Sequence, residues 1–295
     1  MKARGDPRLE AAIGAVEAWR GHDIEVTPMS EGGGGGGERH FLIETDGELF
    51  VLRITSPASA RPVMSLADEV EVVRAAAAAG VAPEVIAFVP GLGCLVTRSV
   101  SGRRLVPSDA SDHGVLASVV GSIRALHACP LPGMERSVFR DAEDLRRAAL
   151  ARGVTMPGTE PGATAALRRI DAAIGARDHR PVACHGDLSL ANLFLDDERV
   201  WIVDYRRAGA GDAFEDLGSV ASHLGLSHEQ TETLLALYFG SVDDDARCDL
   251  VMARVAADYL TAMRILAKPT VVTHMQTVEG RLARVAAAAA EAGVT

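Results

Sequence analysis

A histidine, an aspartate and an amide recur at short, fixed intervals in one stretch of this chain. The stretch is His185-Gly186-Asp187-Leu188-Ser189-Leu190-Ala191-Asn192, with the form H-x-D-x-x-x-x-N. Twelve residues beyond Asn192, Asp204 closes the apolar run Val200-Trp201-Ile202-Val203. Phosphoryl transfer needs such a set. One carboxylate orients the attacking hydroxyl and takes its proton, while an amide and a second carboxylate hold magnesium against the phosphates of ATP. The alternative without chemistry is an exposed polar loop followed by an acidic turn. That alternative leaves unexplained why the spacing and an intervening hairpin fit one template.

These groups must be brought together by the elements around them. Two short strands, Asn192–Leu195 and Arg199–Tyr205, are expected around the turn Asp196-Asp197-Glu198, so that Asp187 sits in a loop, Asn192 at its end and Asp204 after the returning strand. Upstream, residues 8–20 read as a short amphipathic helix, followed by the glycine run Gly32 to Gly37. Strands His40–Thr45 and Glu48–Ile54 flank Asp46-Gly47, a dipeptide suited to a tight hairpin turn because both residues tolerate positive φ. A helix over 66–79 has Ser65 as N-cap and Gly80 as its stop, and two further strands fall at Val85–Phe88 and Cys94–Val100. After Ser101-Gly102 the pattern turns helical, over roughly 112–127, 141–151, 162–176, 214–224, 228–240, 246–267 and 275–291. Ser227 and Gln230 form a capping box.

The H-G-D-x-x-x-x-N loop resembles that of the aminoglycoside phosphotransferase and choline kinase superfamily, which shares the protein-kinase-like fold. The resemblance runs from about residue 30 to 265. Phe50-Val51-Leu52-Arg53-Ile54, Val81-Ala82-Pro83-Glu84-Val85, Ile202-Val203-Asp204-Tyr205 and Gly211-Asp212-Ala213-Phe214-Glu215-Asp216-Leu217 are closest to the choline/ethanolamine kinase branch. It implies an α+β, bilobal fold. A small β-rich nucleotide-binding lobe would span 1–97 and a larger helical lobe for catalysis and substrate 98–295, with a hinge near Val96–Ser101 in which Thr97 meets the nucleotide. Asp187 would be the catalytic base, and Asn192 and Asp204 would bind Mg2+. Arg53 would take the phosphate-binding place of the usual strand lysine, with Glu69 as its helix partner. Asp216 would brace the catalytic loop.

Several residues have competing readings. Glu69 and Glu71 both lie on the helix after Arg53 but point to different faces, and the family spacing to Gly80 selects Glu69. Gly34, Gly35, Gly36 and Gly37 could cradle phosphates with backbone N–H groups, or could form a flexible linker; where the family usually has Gly-Gly-x-Thr-Asn, this chain has Gly34-Gly35-Gly36-Gly37-Glu38. Cys184 and His185 are neighbours on a strand and face opposite ways, which argues against a nucleophile couple and for a structural His185. His127 closes a helix and reads as a packing or capping group.

The acceptor side departs from choline kinases, which enclose a quaternary ammonium with aromatic rings and an acid. Where that branch has an acid two places after the metal-binding Asp, this chain has Arg206, and only Tyr259 remains of the aromatics on the later helix. The expected acceptor is therefore a hydroxylated small molecule other than choline. A polyol, sugar or nucleoside-like alcohol fits, as does an alcohol with its own carboxylate or phosphate. Arg206 could instead face solvent or pair with Glu215. Antibiotic phosphorylation of the aminoglycoside type, and a nucleotide-binding pseudokinase without turnover, are the competing functions.

Composition narrows the partners. The 295 residues carry 30 Lys and Arg against 40 Asp and Glu, a net charge of −10 that argues against a nucleic-acid partner. No stretch has the length and hydropathy of a membrane span. The N-terminal segment lacks the apolar core of a secretory signal, and Cys94, Cys129, Cys184 and Cys248 lie far apart. The expectation is a cytoplasmic protein with reduced thiols and a small-molecule substrate.

Overall fold

The computed structural model describes residues 6–29, 38–55, 64–175, 177, 180–197, 199–268 and 274–291. The N-terminal part is an antiparallel sheet of β1 (Glu25–Pro28), β2 (Glu38–Thr45), β3 (Glu48–Thr55), β4 (Val85–Val89) and β5 (Cys94–Arg98), in the order β1-β2-β3-β5-β4. Asp46 and Gly47 turn the β2–β3 hairpin with φ of 53° and 76°. Side chains alternate across the sheet. Phe41, Ile43, Phe50, Leu52 and Ile54 face one way, into a core closed by Leu9, Ala12 and Val16, with Trp19 packed edge-on against Phe50. His40 and Arg53, paired in register, fall on the opposite face.

Helix α1 (Pro7–Ala15) is shorter than the helix expected over 8–20. Val16 takes an extended conformation and a 3-10 turn, Glu17–Trp19, follows. Gly14 and the β-branched Val16 both weaken the helix there. Helix α2 (Leu66–Ala78) begins as expected, with the Ser65 hydroxyl accepting the Asp68 N–H at 3.1 Å. It stops before Gly80, whose φ is 75°.

The C-terminal part is helical: α3 (His113–His127), α4 (Val138–Ala151), α5 (Glu160–Gly175), α6 (Ala213–Leu224), α7 (His228–Phe239), α8 (Asp244–Leu266) and α9 (Met275–Glu291). Short strands β6 (Arg103–Arg104), β8 (Leu193–Leu195) and β9 (Val200–Ile202) form one small sheet, and β7 (Val182–Cys184) pairs with β10 (Gly209–Gly211). Strands β1, β6 and β10 were not expected from the sequence, since two to four residues give little period to read; β7 ends at Cys184, so His185 lies just past the strand on which Cys184 and His185 were both expected.

This α+β architecture, an antiparallel sheet followed by a helical part, is the kinase-like fold expected from the sequence. The central core joins α2 to α3, α6, α7 and β9 through Val73, Ala76, Ile123, Leu126, Ile202, Leu217 and Leu234. A second core holds α4, α5, α8 and α9. Gly218 sets the α6–α8 contact: a Cβ there would stand 2.5 Å from the Ala253 carbonyl carbon, so only glycine allows this approach. Among the described residues, no helix is long and apolar enough to cross a membrane.

Candidate active site

Strand β7 ends at Cys184 and delivers His185, Gly186 and Asp187 to the floor of the site. The buried Asp216, in the first turn of α6, fixes this loop by accepting the N–H groups of His185 at 2.7 Å and Gly186 at 2.8 Å. His127 Nε2 lies 3.1 Å from the same carboxylate. Burial alone would raise the Asp216 carboxyl, but the His127 hydrogen bond and charge outweigh it and hold its pKa at about 2. His185, fully buried, has Nε2 3.1 Å from the Val203 carbonyl and Nδ1 3.2 Å from the Asp187 N–H. The carbonyl needs a donor and the amide an acceptor, so the neutral Nε2–H tautomer satisfies both. Burial pushes the His185 pKa down, in agreement.

Gly186 must be glycine. Its φ is 75°, and a Cβ would fall 1.5 Å from Arg136 Nη1 and 2.5 Å from the Arg207 carbonyl oxygen. Arg136 is itself enclosed and held by Glu215 at 2.9 Å. The pairing of Arg206 with Glu215 considered from the sequence is therefore replaced by Arg136 with Glu215.

The small sheet brings the metal-binding candidates to this loop. Asn192 Nδ2 donates to the Asp187 carbonyl at 2.9 Å, and the Asn192 carbonyl accepts the Val203 N–H at 3.0 Å. Asp204 follows with φ of 69°, a left-handed conformation rare outside glycine and frequent at functional sites. The side-chain carbonyl of Asn192 and the Asp204 carboxylate are hard oxygen donors, the type magnesium takes, so these residues fit that ion.

Arg206 is partly exposed and does not pair with Glu215. It donates to both oxygens of Asp204, at 2.5 and 2.6 Å, and also pairs with Glu38 at the start of β2. Burial raises the Asp204 carboxyl less than the Arg206 hydrogen bonds and charge lower it, so its pKa is depressed.

On the sheet side, Arg53 Nη2 meets Glu69 at 2.5 Å, with both side chains largely buried. Glu71, the other candidate, pairs with Arg74 at the surface. Burial opposes the Arg53 charge, and Glu69, Asp204 and Glu38 more than compensate, raising its pKa. His40, beside Arg53, is pushed down by burial and by the charges of Arg53 and Arg206. Thr97 lies in β5 opposite Val51 and is partly buried; the sheet continues to Arg98, one residue past the division expected at 97. Gly34, Gly35, Gly36 and Gly37 lie outside the described residues.

Two expectations for the acceptor side are corrected. Tyr259, expected to face a substrate, is 0% exposed in the α4–α5–α8–α9 core, its hydroxyl 2.6 Å from that of Thr164. Arg206 engages Asp204 and Glu38. The cation beside Asp187 is instead Arg264, five residues after Tyr259 on α8. Its Nη1 lies 2.5 Å from Asp187 Oδ1, and its Nη2 donates to the Gly186 carbonyl at 2.9 Å. Arg207 Nε stands 4.0 Å from Asp187 Oδ2. Sequence reasoning missed Arg264, Glu38 and His40. A cation in the last turn of α8 was a visible signal, but it also fits simple stabilisation of a helix end.

A profile described as "Phosphotransferase enzyme family" matches residues 30–251. A choline/ethanolamine kinase family protein from Mesorhizobium loti superposes with a TM-score of 0.75 at 24% identity, covering 95% of this chain and 93% of that one. A thermostable mutant of aminoglycoside phosphotransferase APH(4)-Ia, in ternary complex with AMP-PNP and hygromycin B, gives 0.66 at 17% identity over 91% and 95%. At these identities the two likenesses establish the fold. Streptomycin 3''-kinase from Streptomyces griseus is 32% identical over 142 residues, 42% of this chain. The chain spans about half, 51%, of the length of that curated relative.

Proposed function

The chain belongs to the phosphotransferase enzyme family, and from that premise we propose that it transfers the γ-phosphate of ATP to a hydroxyl of a small molecule lacking a quaternary ammonium. The observation that carries this reading is the joining of Asp187 to Asn192 through the loop hydrogen bond at 2.9 Å, with Asp204 following on the returning strand. Use of an adenine nucleotide draws support from AMP-PNP in the aminoglycoside phosphotransferase complex. In this reading residues 1–97 form the nucleotide-binding lobe, and 98–295 carry catalysis and the acceptor.

Asp187 accepts a hydrogen bond from the acceptor hydroxyl and takes its proton as the acceptor oxygen bonds to the γ-phosphorus. The bond from that phosphorus to the β–γ bridging oxygen breaks, leaving ADP. Arg53, held by Glu69, binds phosphate oxygens, with Thr97 and the glycines 34–37 along the nucleotide. Asn192 and Asp204 are the residues that would hold magnesium, which neutralises phosphate charge when bound. His185 and Asp216 keep the loop in place without touching substrate.

Choline is disfavoured because neither expected part of a cation cage is found near Asp187 among the described residues. Tyr259 is in the core, and the nearest charged groups are the guanidiniums of Arg264 and Arg207. Magnesium-dependent ATP turnover against polyols, sugars, nucleosides, choline and streptomycin tests the reading, with the phosphate monoester identified by mass spectrometry. The expected result is hydroxyl-dependent ADP formation with a non-choline acceptor. Efficient phosphorylation of choline refutes the acceptor assignment. Nucleotide binding with no turnover on any hydroxyl compound supports a non-catalytic nucleotide binder instead. Preferred turnover of streptomycin supports the antibiotic-kinase reading that the streptomycin 3''-kinase likeness favours.

A further inference from the structure

Asp187 is flanked by positive charge on both carboxylate oxygens. Arg264 Nη1 holds Oδ1 at 2.5 Å, and Arg207 Nε approaches Oδ2 at 4.0 Å. All three side chains keep a solvent-facing part: 15% for Arg264, 27% for Arg207 and 23% for Asp187. One carboxylate thus answers two guanidiniums at the place where an acceptor hydroxyl must approach.

Neighbouring acids are mostly committed elsewhere: Asp141, which also attracts Arg264, lies 3.6 Å from Arg136. Asp258, also on α8, is taken by Arg281, Arg284 at 3.0 Å and the Ser222 hydroxyl at 2.9 Å. Glu215 is committed to Arg136. The Arg264 Nε is enclosed and has no hydrogen-bond partner among the described residues. A buried guanidinium nitrogen without an acceptor is costly.

The electrostatics agree. Burial, together with the like charges of Arg207 and Arg136, pulls the Arg264 pKa down to about 10 despite the attraction of Asp187. The guanidinium remains charged at neutral pH, with Arg207 and Arg136 acting against the attraction of Asp187 and Asp141. Its position is fixed by its contacts with Asp187 and the Gly186 carbonyl.

We propose that the acceptor is an anionic alcohol, whose carboxylate or phosphate is bound by Arg264 and Arg207 while its hydroxyl meets Asp187. This rests on the kinase reading above and narrows it to a class of substrate. A guanidinium pair matches the planar oxygens of a carboxylate and the oxygens of a phosphate alike. A polycationic antibiotic or an amino alcohol would meet repulsion at the same place.

Gluconate, glucose 6-phosphate, glucose and glucosamine offer a common polyol skeleton with a carboxylate, a phosphate, no charge and an ammonium. Their binding is to be measured by calorimetry on the full chain saturated with magnesium and a non-hydrolysable ATP analogue. At least one anion is expected to bind about tenfold or more tighter than glucose, as one charge-assisted hydrogen bond implies, and glucosamine more weakly than glucose. Gluconate and glucose 6-phosphate distinguish the two sources of anion. Arg264→Gln should remove the anion's advantage over glucose, both ligands being measured on the same variant, and Arg264→Lys should restore part of it. Equal or tighter binding of glucose or glucosamine, or no detectable binding of either anion, overturns the proposal, and the wild-type protein alone decides this. Loss of the kinase reading shows differently, as absent ATP turnover with every alcohol, and leaves the binding order to judge the anion site.

Discussion

Arg206 reaches both carboxylate oxygens of Asp204, with Nε at 2.5 Å and Nη2 at 2.6 Å. A bidentate guanidinium–carboxylate pair is among the stronger polar contacts available to side chains. Here it uses the same oxygens that a divalent cation would need, and the second pair with Glu38 joins this contact to the sheet. Arg206→Met should therefore tighten Mn2+ binding to the nucleotide-free protein by about tenfold, as expected for release of one charge-assisted hydrogen bond. Electron paramagnetic resonance of free Mn2+ measures this. Unchanged or weaker binding would show that Arg206 and the cation do not compete for Asp204.

Asp187→Asn keeps size and the neighbouring oxygen donors but removes the proton acceptor. Turnover should fall on the order of 10²–10⁴-fold, the usual yield of general-base catalysis, with ATP affinity nearly unchanged. Steady-state kinetics paired with nucleotide calorimetry reads both. A wild-type rate in this variant would remove Asp187 from the role of base.

Asp204→Ala should weaken magnesium-supported ATP binding more than Asn192→Ala does. Asp204 brings a full negative charge to a hard cation, whereas Asn192 brings a neutral carbonyl. Titrating ATP with and without magnesium isolates the metal-dependent part. Equal losses in the two variants would count against this division of labour.

Asp216 links acid stability to the catalytic loop. Its folded pKa of about 2 lies below the ordinary 3.8. A depressed carboxylate contributes stability that is fully present above the unfolded value and is lost as pH falls through the folded one. The difference corresponds to about 2 kcal/mol. Asp216→Asn should be less stable than wild type by about that amount at pH 7, with the gap closing between about pH 4 and pH 2. Denaturant unfolding at both ends of that window tests it, and a gap independent of pH would contradict the role given to Asp216.

Local order was legible wherever neighbours in the chain decide the outcome. Asp46-Gly47 set the β2–β3 turn because the two φ values depend on those residues alone. Ser65, and Ser227 with Gln230, set helix starts through hydrogen bonds spanning three residues. The H-x-D-x-x-x-x-N loop and Asp204 were legible for the same reason, since a short loop and hairpin leave little freedom in where they meet. Arg53 with Glu69 was accessible from the family spacing to Gly80.

The acceptor side was a different problem. Tyr259 and Arg264 share α8, and five residues at 3.6 per turn place them roughly 140° apart around the helix. Sequence put both on one helix and could not say which faced Asp187, because α8 is apolar over much of its circumference. With α8 packed on α6 at Gly218, Tyr259 lies in the core and Arg264 meets Asp187, the latter contact spanning 77 residues. Arg206 and Glu38 meet across 168 residues for the same kind of reason. The chain's local pattern determined most elements and the His185–Asn192 loop, and its family resemblance implied the fold; which charges surround that loop was decided by helix packing, since burial and close approach between distant segments leave no period or spacing in the sequence.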